Sequence, residues 1–413
     1  MQIRDRLVIL PPVPNQPMDP LNILVLTAYP PGLGLHGGAL RMYYNVKFLA
    51  SRHRVTLISF IEHEGEREVL KGLEPLGVET RAVRRWPVPA RHLWMPRPAE
   101  HYEFAGAEMA DEVRRVLAGR RFDVIQAEYL QMAQHVPREA VRRTVLTLHE
   151  VQYANAAQAF ERAGSPWSGA WRWYDWMVQL NYEVRSCDRF DAVVCMTGED
   201  ARLLARFVSP SRLRTIPIGV DSGFFRAGPA AGGPAPGKKL LFVGNYRHTP
   251  NQESVHYMAD RVLPRVLRRV PEAEFQVVGG NTEMLDRERL DRCPGVCLRG
   301  YVEDLRPLYR ECAVFVAPIL SGNGMRVKLL EALSMGMAVI TTPLGAQGFQ
   351  VRHGRELLIA DSPQAFADAA IELLRDSRRR AELGSRARQL IRERYDWSVI
   401  GREFLDVVEA GHA

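Results

Sequence analysis

A chain of 413 residues is about twice the length of a comfortable single domain, so two packed cores are expected. Hydrophobic residues at 46% and charged residues at 25% match a folded chain and exclude extensive disorder. The net charge of +7 comes from dispersed arginines, with Arg378-Arg379-Arg380 the one short block; no nucleic-acid reader motif accompanies them, and charge alone does not choose an anionic partner.

Residues 1–20 read as a tail. Their apolar patch, Leu7 to Leu10, is cut off by Pro11, Pro12 and Pro14 and is too short for a secretory signal. Asn22 to Tyr29 is an apolar run ending in Pro30-Pro31-Gly32, the way a buried parallel strand enters a loop. The loop Gly32 to Gly38 contains four glycines, Ala39 to Ala50 has helical apolar spacing, and Arg54 to Phe60 supplies another strand. The same β-then-helix pattern recurs at Asp123 to Glu128, Thr144 to His149 and Ala192 to Thr197. Between the last two lies a dense aromatic set, Trp167 to Trp176, with Arg172 inside it. Tryptophan and tyrosine favour boundaries that are apolar on one side and wet on the other, so this segment either leans on a membrane or lipid-linked acceptor or packs beneath a helix.

At 227–238 the composition turns to glycine, proline and alanine, which predicts a linker between a first domain at 21–226 and a second at 239–395. The second series of predicted strands is Lys239 to Gly244, Glu274 to Gly279, Val296 to Gly300, Val314 to Pro318 and Ala338 to Thr342, with helices over Gln252 to Arg269 and Gly324 to Met335. Both halves are therefore α/β, doubly wound and Rossmann-like, a class that binds ligands outside the carboxyl ends of its strands. The most apolar long stretch, Leu329 to Ala346, carries Glu331 and Pro343 and falls short of a membrane span. The five cysteines form no zinc-like spacing and are expected to be reduced structural thiols, which suits the cytoplasm.

Chemistry concentrates where the strand ending at Pro318 turns through Ser321-Gly322-Asn323-Gly324 into a helix. Unpaired N–H groups at a helix start receive phosphate oxygens. Arg326 and Lys328 add two cations there, against the helix macrodipole, a placement that a diphosphate would compensate. Glu331, seven residues after Gly324 and on the same face, can accept hydrogen bonds from a ribose diol. An ordinary charged surface helix is the competing reading.

The run Gly324-x-Arg326-x-Lys328-x-x-Glu331-Ala332 resembles glycosyltransferase family 4, enzymes of the GT-B fold that use nucleotide sugars. The resemblance extends over Gly37-Gly38, Pro217-Ile218-Gly219-Val220-Asp221, Phe242-Val243-Gly244 and Tyr395-Asp396-Trp397. It implies two Rossmann-like domains facing each other across a cleft, with residues 396–413 a helix that crosses back to the first. Many members carry a Glu-x7-Glu pair; Asn323 stands at the first of those positions, as in a branch that has a glycine-rich loop with Arg and Lys as here. The usual basic pair after the second domain's first strand is replaced by Asn245-Tyr246-Arg247, which leaves Arg247 as a phosphate contact.

The resemblance further implies that His149 lies beside the transferred sugar, against the plainer reading of a histidine capping its strand. Gly37 and Gly38 would let backbone amides approach the donor, although a simple strand-to-helix turn explains them as well. Tyr301 falls where the nucleotide base is held, or is a surface tyrosine. Glu128 closes a strand and either lines the acceptor side or faces solvent, as such carboxylates often do, and it is not assigned to catalysis. The implied reaction retains configuration at the anomeric carbon and needs neither cofactor nor metal, and no Asp-x-Asp triplet occurs. Catalysis is thus expected from Arg326, Lys328 and His149, and donor binding from Gly37, Gly38, Arg247, Tyr301, Gly322, Gly324 and Glu331. The expected partners are a nucleotide-sugar donor, a glycan or lipid-linked acceptor and a peripheral contact with an anionic membrane, without nucleic acid. An epimerase or hydrolase acting on the nucleotide sugar, or a non-catalytic nucleotide-sugar-binding module, stays open.

Overall fold

Short runs rich in Val, Ile and Leu become the strands of two parallel sheets in the computed structural model, which describes residues 19–34, 36–86, 97–137, 141–161, 164–226, 237–322 and 324–412. The chain divides into two units, one running to Pro217 and taking back Ile400–Ala413, the other Ile218–Val399. Most of the predicted linker, and most of the predicted tail, lies outside the described residues.

The first unit holds β1 (Asn22–Thr27), β2 (Arg54–Ile61), β3 (Glu79–Arg84), β4 (Val124–Glu128), β5 (Arg143–Thr147), β6 (Ala192–Cys195) and β7 (Leu213–Thr215), ordered β3-β2-β1-β4-β5-β6-β7. The central strands are buried almost throughout, as a sheet covered by helices on both faces requires. Leu24, Leu26, Ile58, Phe60, Ile125 and Leu146 anchor one core face.

The second unit holds β8 (Lys239–Val243), β9 (Glu274–Val278), β10 (Val296–Gly300), β11 (Val314–Ala317), β12 (Ala338–Thr341) and β13 (Leu358–Ile359), ordered β10-β9-β8-β11-β12-β13. Phe242, Phe275, Val277, Val314 and Val316 fill its core with Phe366 and Leu373 from the helix Pro363–Arg375. The five cysteines are free thiols, and Cys187, Cys195 and Cys312 are buried.

Several element limits differ from the sequence-based ones. The predicted helix over Gln252 to Arg269 is Thr249–Tyr257, a π-type turn at Met258–Val262 and Leu263–Leu267. Pro264 has no N–H to continue the α-helical ladder, so the register widens before it. The strand before His149 stops at Thr147. The helix after β11 begins at Val327 rather than near Gly324, because Gly322 and Gly324 have φ of 90° and 80° and Arg326 is still extended as its cap. Conversely, Gly37 and Gly38 belong to the helix Gly37–Ala50, whose cap His36 accepts from the Ala39 N–H at 3.3 Å.

Candidate functional site

In the second unit the strand order reverses between β8 and β11, and loops leaving such a switch point leave room for a ligand. The floor is drawn tight by Gly279. At φ 143° it passes so close to Gly244 that a Cβ there would stand 1.7 Å from the Gly244 carbonyl oxygen. Its N–H donates to the Gly300 carbonyl at 2.8 Å, while the Gly244 N–H donates to Val278 at 3.0 Å, lacing β8, β9 and β10 at their carboxyl ends.

Beyond that lacing, Asn245 Oδ1 accepts from the Arg247 N–H and from Asn281 Nδ2, each at 3.0 Å. Arg247 Nε donates to Asn281 Oδ1 at 2.9 Å, so its guanidinium is held over the β8 and β9 ends. Tyr301 follows β10 and is 76% exposed. The tyrosine edge lies 4.0 Å from the position of a Cβ on Gly280, which puts it on the same rim as Arg247.

On the β11 side, Ser321 Oγ donates to Glu253 at 2.6 Å and Arg326 Nη2 donates back to the Gly322 carbonyl at 2.7 Å, fixing the glycine turn. Lys328 Nζ donates to Asn251 Oδ1 at 2.6 Å and stands 4.3 Å over the Phe242 ring. Asn251 Nδ2 in turn donates to the Asn245 carbonyl at 2.7 Å. Arg247, Asn281, Asn245, Asn251 and Lys328 thus form one continuous network. Burial first, and the Arg326 charge second, push the Lys328 ammonium down to about 7 against the opposing pull of Glu331. Burial also lowers Arg326. Two cations made costly by desolvation at a helix start form a receptor for an anion. Glu331 is set by the buried Tyr309, whose hydroxyl donates to Oε2 at 3.0 Å.

Arg326 is therefore the cap of its helix and not a member of the first turn, while Lys328 is its second residue and Glu331 lies one turn further on. Gly322 and Gly324 shape the approach, and Asn323 lies outside the described residues. The sequence did not point to Asn251, Asn281 or Tyr309. Thr249-Pro250 marks a helix start before Asn251, but nothing local ties that asparagine to a lysine 77 residues away.

In the first unit the order reverses between β1 and β4, and a second cluster gathers there. His149, with its side chain 6% exposed, pairs through Nε2 with Glu128 Oε2 at 2.9 Å. Its ring stacks on Tyr129 at a centroid distance of 3.7 Å and 4°. Glu128 is fully buried, contrary to the solvent-facing reading of its position. A Cβ on Gly38 would stand 1.8 Å from Tyr129 Oη and 3.3 Å from His149 Nδ1, so Gly38 makes room for those two side chains. Gly37 is the first residue of the same helix, where N–H groups have no intrahelical acceptor.

Residues 36–224 match the model described as Glycosyltransferase Family 4, and residues 237–376 match Glycosyl transferases group 1. The phosphatidyl-myo-inositol mannosyltransferase of Mycolicibacterium smegmatis is 32% identical over 200 residues, 47% of this chain and 51% of that protein. A GDP-mannose-dependent alpha-(1-6)-phosphatidylinositol monomannoside mannosyltransferase of Mycobacterium tuberculosis is 28% identical over 232 residues, 52% of this chain and 60% of that one. The chain thus spans about half the length of the curated relatives it matches. Among solved structures, Anabaena HepE in complex with UDP has the same fold, with a TM-score of 0.70 at 14% identity over 94% of this chain and 100% of that one. With one family model on each sheet domain, the chain belongs to glycosyltransferase family 4 and has the GT-B fold.

Proposed function

We propose that this protein transfers a sugar from a nucleoside-diphosphate sugar to a lipid-linked or glycan acceptor, with retention at the anomeric carbon. The observation that carries the reading is the desolvated Arg326–Lys328 pair at the start of the helix Val327–Ser334, with Glu331 one turn on. The diphosphate takes the cations and first-turn N–H groups, and Glu331 takes the ribose diol. Arg247 contributes to the phosphates, and Tyr301 to the face of the base. As the glycosidic bond breaks, negative charge grows on the leaving diphosphate, and Arg326 and Lys328 stabilise it most at that moment. No divalent cation has a role in this reading. His149 meets a hydroxyl of the transferred sugar, and the leaving phosphate takes the acceptor proton.

The relatives are named for mannosyl transfer to phosphatidylinositol lipids, and one of them for GDP-mannose, so GDP-mannose and a lipid-linked acceptor are the first pair to test. A lipid acceptor favours a peripheral membrane contact on the cytoplasmic side. Trp167, Trp171 and Trp173 on the helix Pro166–Cys187 are 88%, 44% and 48% exposed and suit it. Among the described residues no helix is long and apolar enough to cross a membrane. The test is product formation from a panel of nucleotide sugars with excess chelator, the anomeric configuration being read by NMR. Donor binding with no transfer to any acceptor would favour the binding-module reading, and free or epimerised sugar without acceptor would favour the hydrolase or epimerase.

A further inference from the structure

A buried carboxylate at the end of β4 organises the histidine cluster. Glu128 Oε1 accepts from Asn45 Nδ2 at 2.7 Å and from Gln126 Nε2 at 2.6 Å, and Oε2 faces His149 Nε2 at 2.9 Å. The guanidinium of Arg41, also fully buried, interacts favourably with the same carboxylate and donates to the Pro217 carbonyl at 2.6 Å. Tyr129, held at a positive φ of 75°, covers the imidazole face. The Nε2 edge and one face of His149 are thereby fixed. The other ring nitrogen, Nδ1, is buried, has no hydrogen-bond partner and is directed toward Gly38.

The chemistry decides which nitrogen carries the proton. Burial lowers the affinity of His149 for a second proton, so the ring is neutral and one nitrogen donates while the other accepts. A carboxylate can only accept, so the proton belongs on Nε2 and Nδ1 is left with a lone pair.

We propose that Glu128 is a positioning residue for sugar transfer: it locks His149 as the Nε2–H tautomer, so that Nδ1 accepts a hydrogen bond from a hydroxyl of the transferred sugar. The proposal rests on the function assigned above.

The two amides on Oε1 make the pair testable. In Glu128→Gln the carbonyl oxygen is required by Asn45 and Gln126, so the new NH2 faces Nε2 and donates to it. The imidazole must then carry its proton on Nδ1 and loses its acceptor. Long-range 15N–1H spectra of histidine-labelled full-length protein should show His149 as Nε2–H in the wild type and in Glu128→Asp, and as Nδ1–H in Glu128→Gln. With the melting temperature checked, kcat should fall about 10²-fold in Glu128→Gln and recover substantially in Glu128→Asp, while the Kd for the nucleoside diphosphate stays within about twofold. A wild-type Nδ1–H tautomer, or a flipped tautomer with undiminished kcat, overturns the proposal. If Glu128→Gln does not fold, a wild-type tautomer kept in Glu128→Asp with kcat lost entirely also counts against it. A wild type inert toward every nucleotide sugar overturns the functional reading as well, which separates the two failures.

Discussion

Asn251 accepts from Lys328 Nζ at 2.6 Å and donates to the Asn245 carbonyl at 2.7 Å, which ties the loop after β8 to the helix after β11. The lysine is thus oriented by a neutral amide, and its charge remains available to a ligand. Replacing Lys328 or Arg326 by alanine should lower kcat by about 10²–10³-fold. Asn251→Ala, which frees the ammonium without removing it, should cost about tenfold. Steady-state kinetics with circular dichroism as a folding control measures this; wild-type rates in both cation variants would remove them from the mechanism.

The lowered Lys328 value has a pH consequence of defined sign. Its folded value of about 7 lies below the ordinary lysine value, so between the two the unfolded chain binds more protons and the group's penalty shrinks as pH rises. Lys328→Met should therefore be more stable than wild type near pH 6, with the difference closing toward about pH 10. Urea denaturation at both pH values reads it. A bound diphosphate should return the ammonium to its charged form, so calorimetry above pH 7 should show proton uptake that Lys328→Met abolishes.

The hydroxyl of the buried Tyr309 donates to the Glu331 carboxylate at 3.0 Å and orients it. Tyr309→Phe should raise the donor KM about tenfold and change kcat little, since the loss is of ground-state and transition-state binding alike. An unchanged KM would mean that Glu331 is set by other contacts or does not hold the ribose.

Three tryptophans are exposed on one helix, while Trp176 turns inward and stacks on Phe160 at 6.0 Å. The protein should float with vesicles containing phosphatidylglycerol, and the triple Trp167, Trp171 and Trp173 to alanine variant should not. Equal recovery of the two proteins would assign the tryptophans some other role.

The sequence made the scaffold legible where strands are central and apolar. The edge strands β3, β7 and β13 were not, because Glu79–Arg84 alternates charge with small residues and the other two are three and two residues long. Arg326, Lys328 and Glu331 were readable from the Gly-x-Arg-x-Lys-x-x-Glu run at a loop-to-helix turn, although Arg326 is the extended cap and only Lys328 and Glu331 share a helical face. Their supports were not: Asn251 reaches Lys328, and Tyr309 reaches Glu331, through tertiary contacts that no local pattern encodes. Glu128 and His149 each stood at a strand end in the sequence, yet their pairing depends on β4 and β5 being neighbours in the sheet. Gly37-Gly38 was visible as a flexible pair, but the aromatic ring that needs Gly38 was not.

The most direct test is a crystal structure with a nucleoside diphosphate bound, GDP and UDP being tried in parallel. Phosphate oxygens are expected within hydrogen-bond distance of Arg326, Lys328 and the first-turn N–H groups of Val327–Ser334, with both ribose hydroxyls on Glu331. A nucleotide bound elsewhere, with Lys328 still bonded to Asn251 and no phosphate beside it, would contradict it.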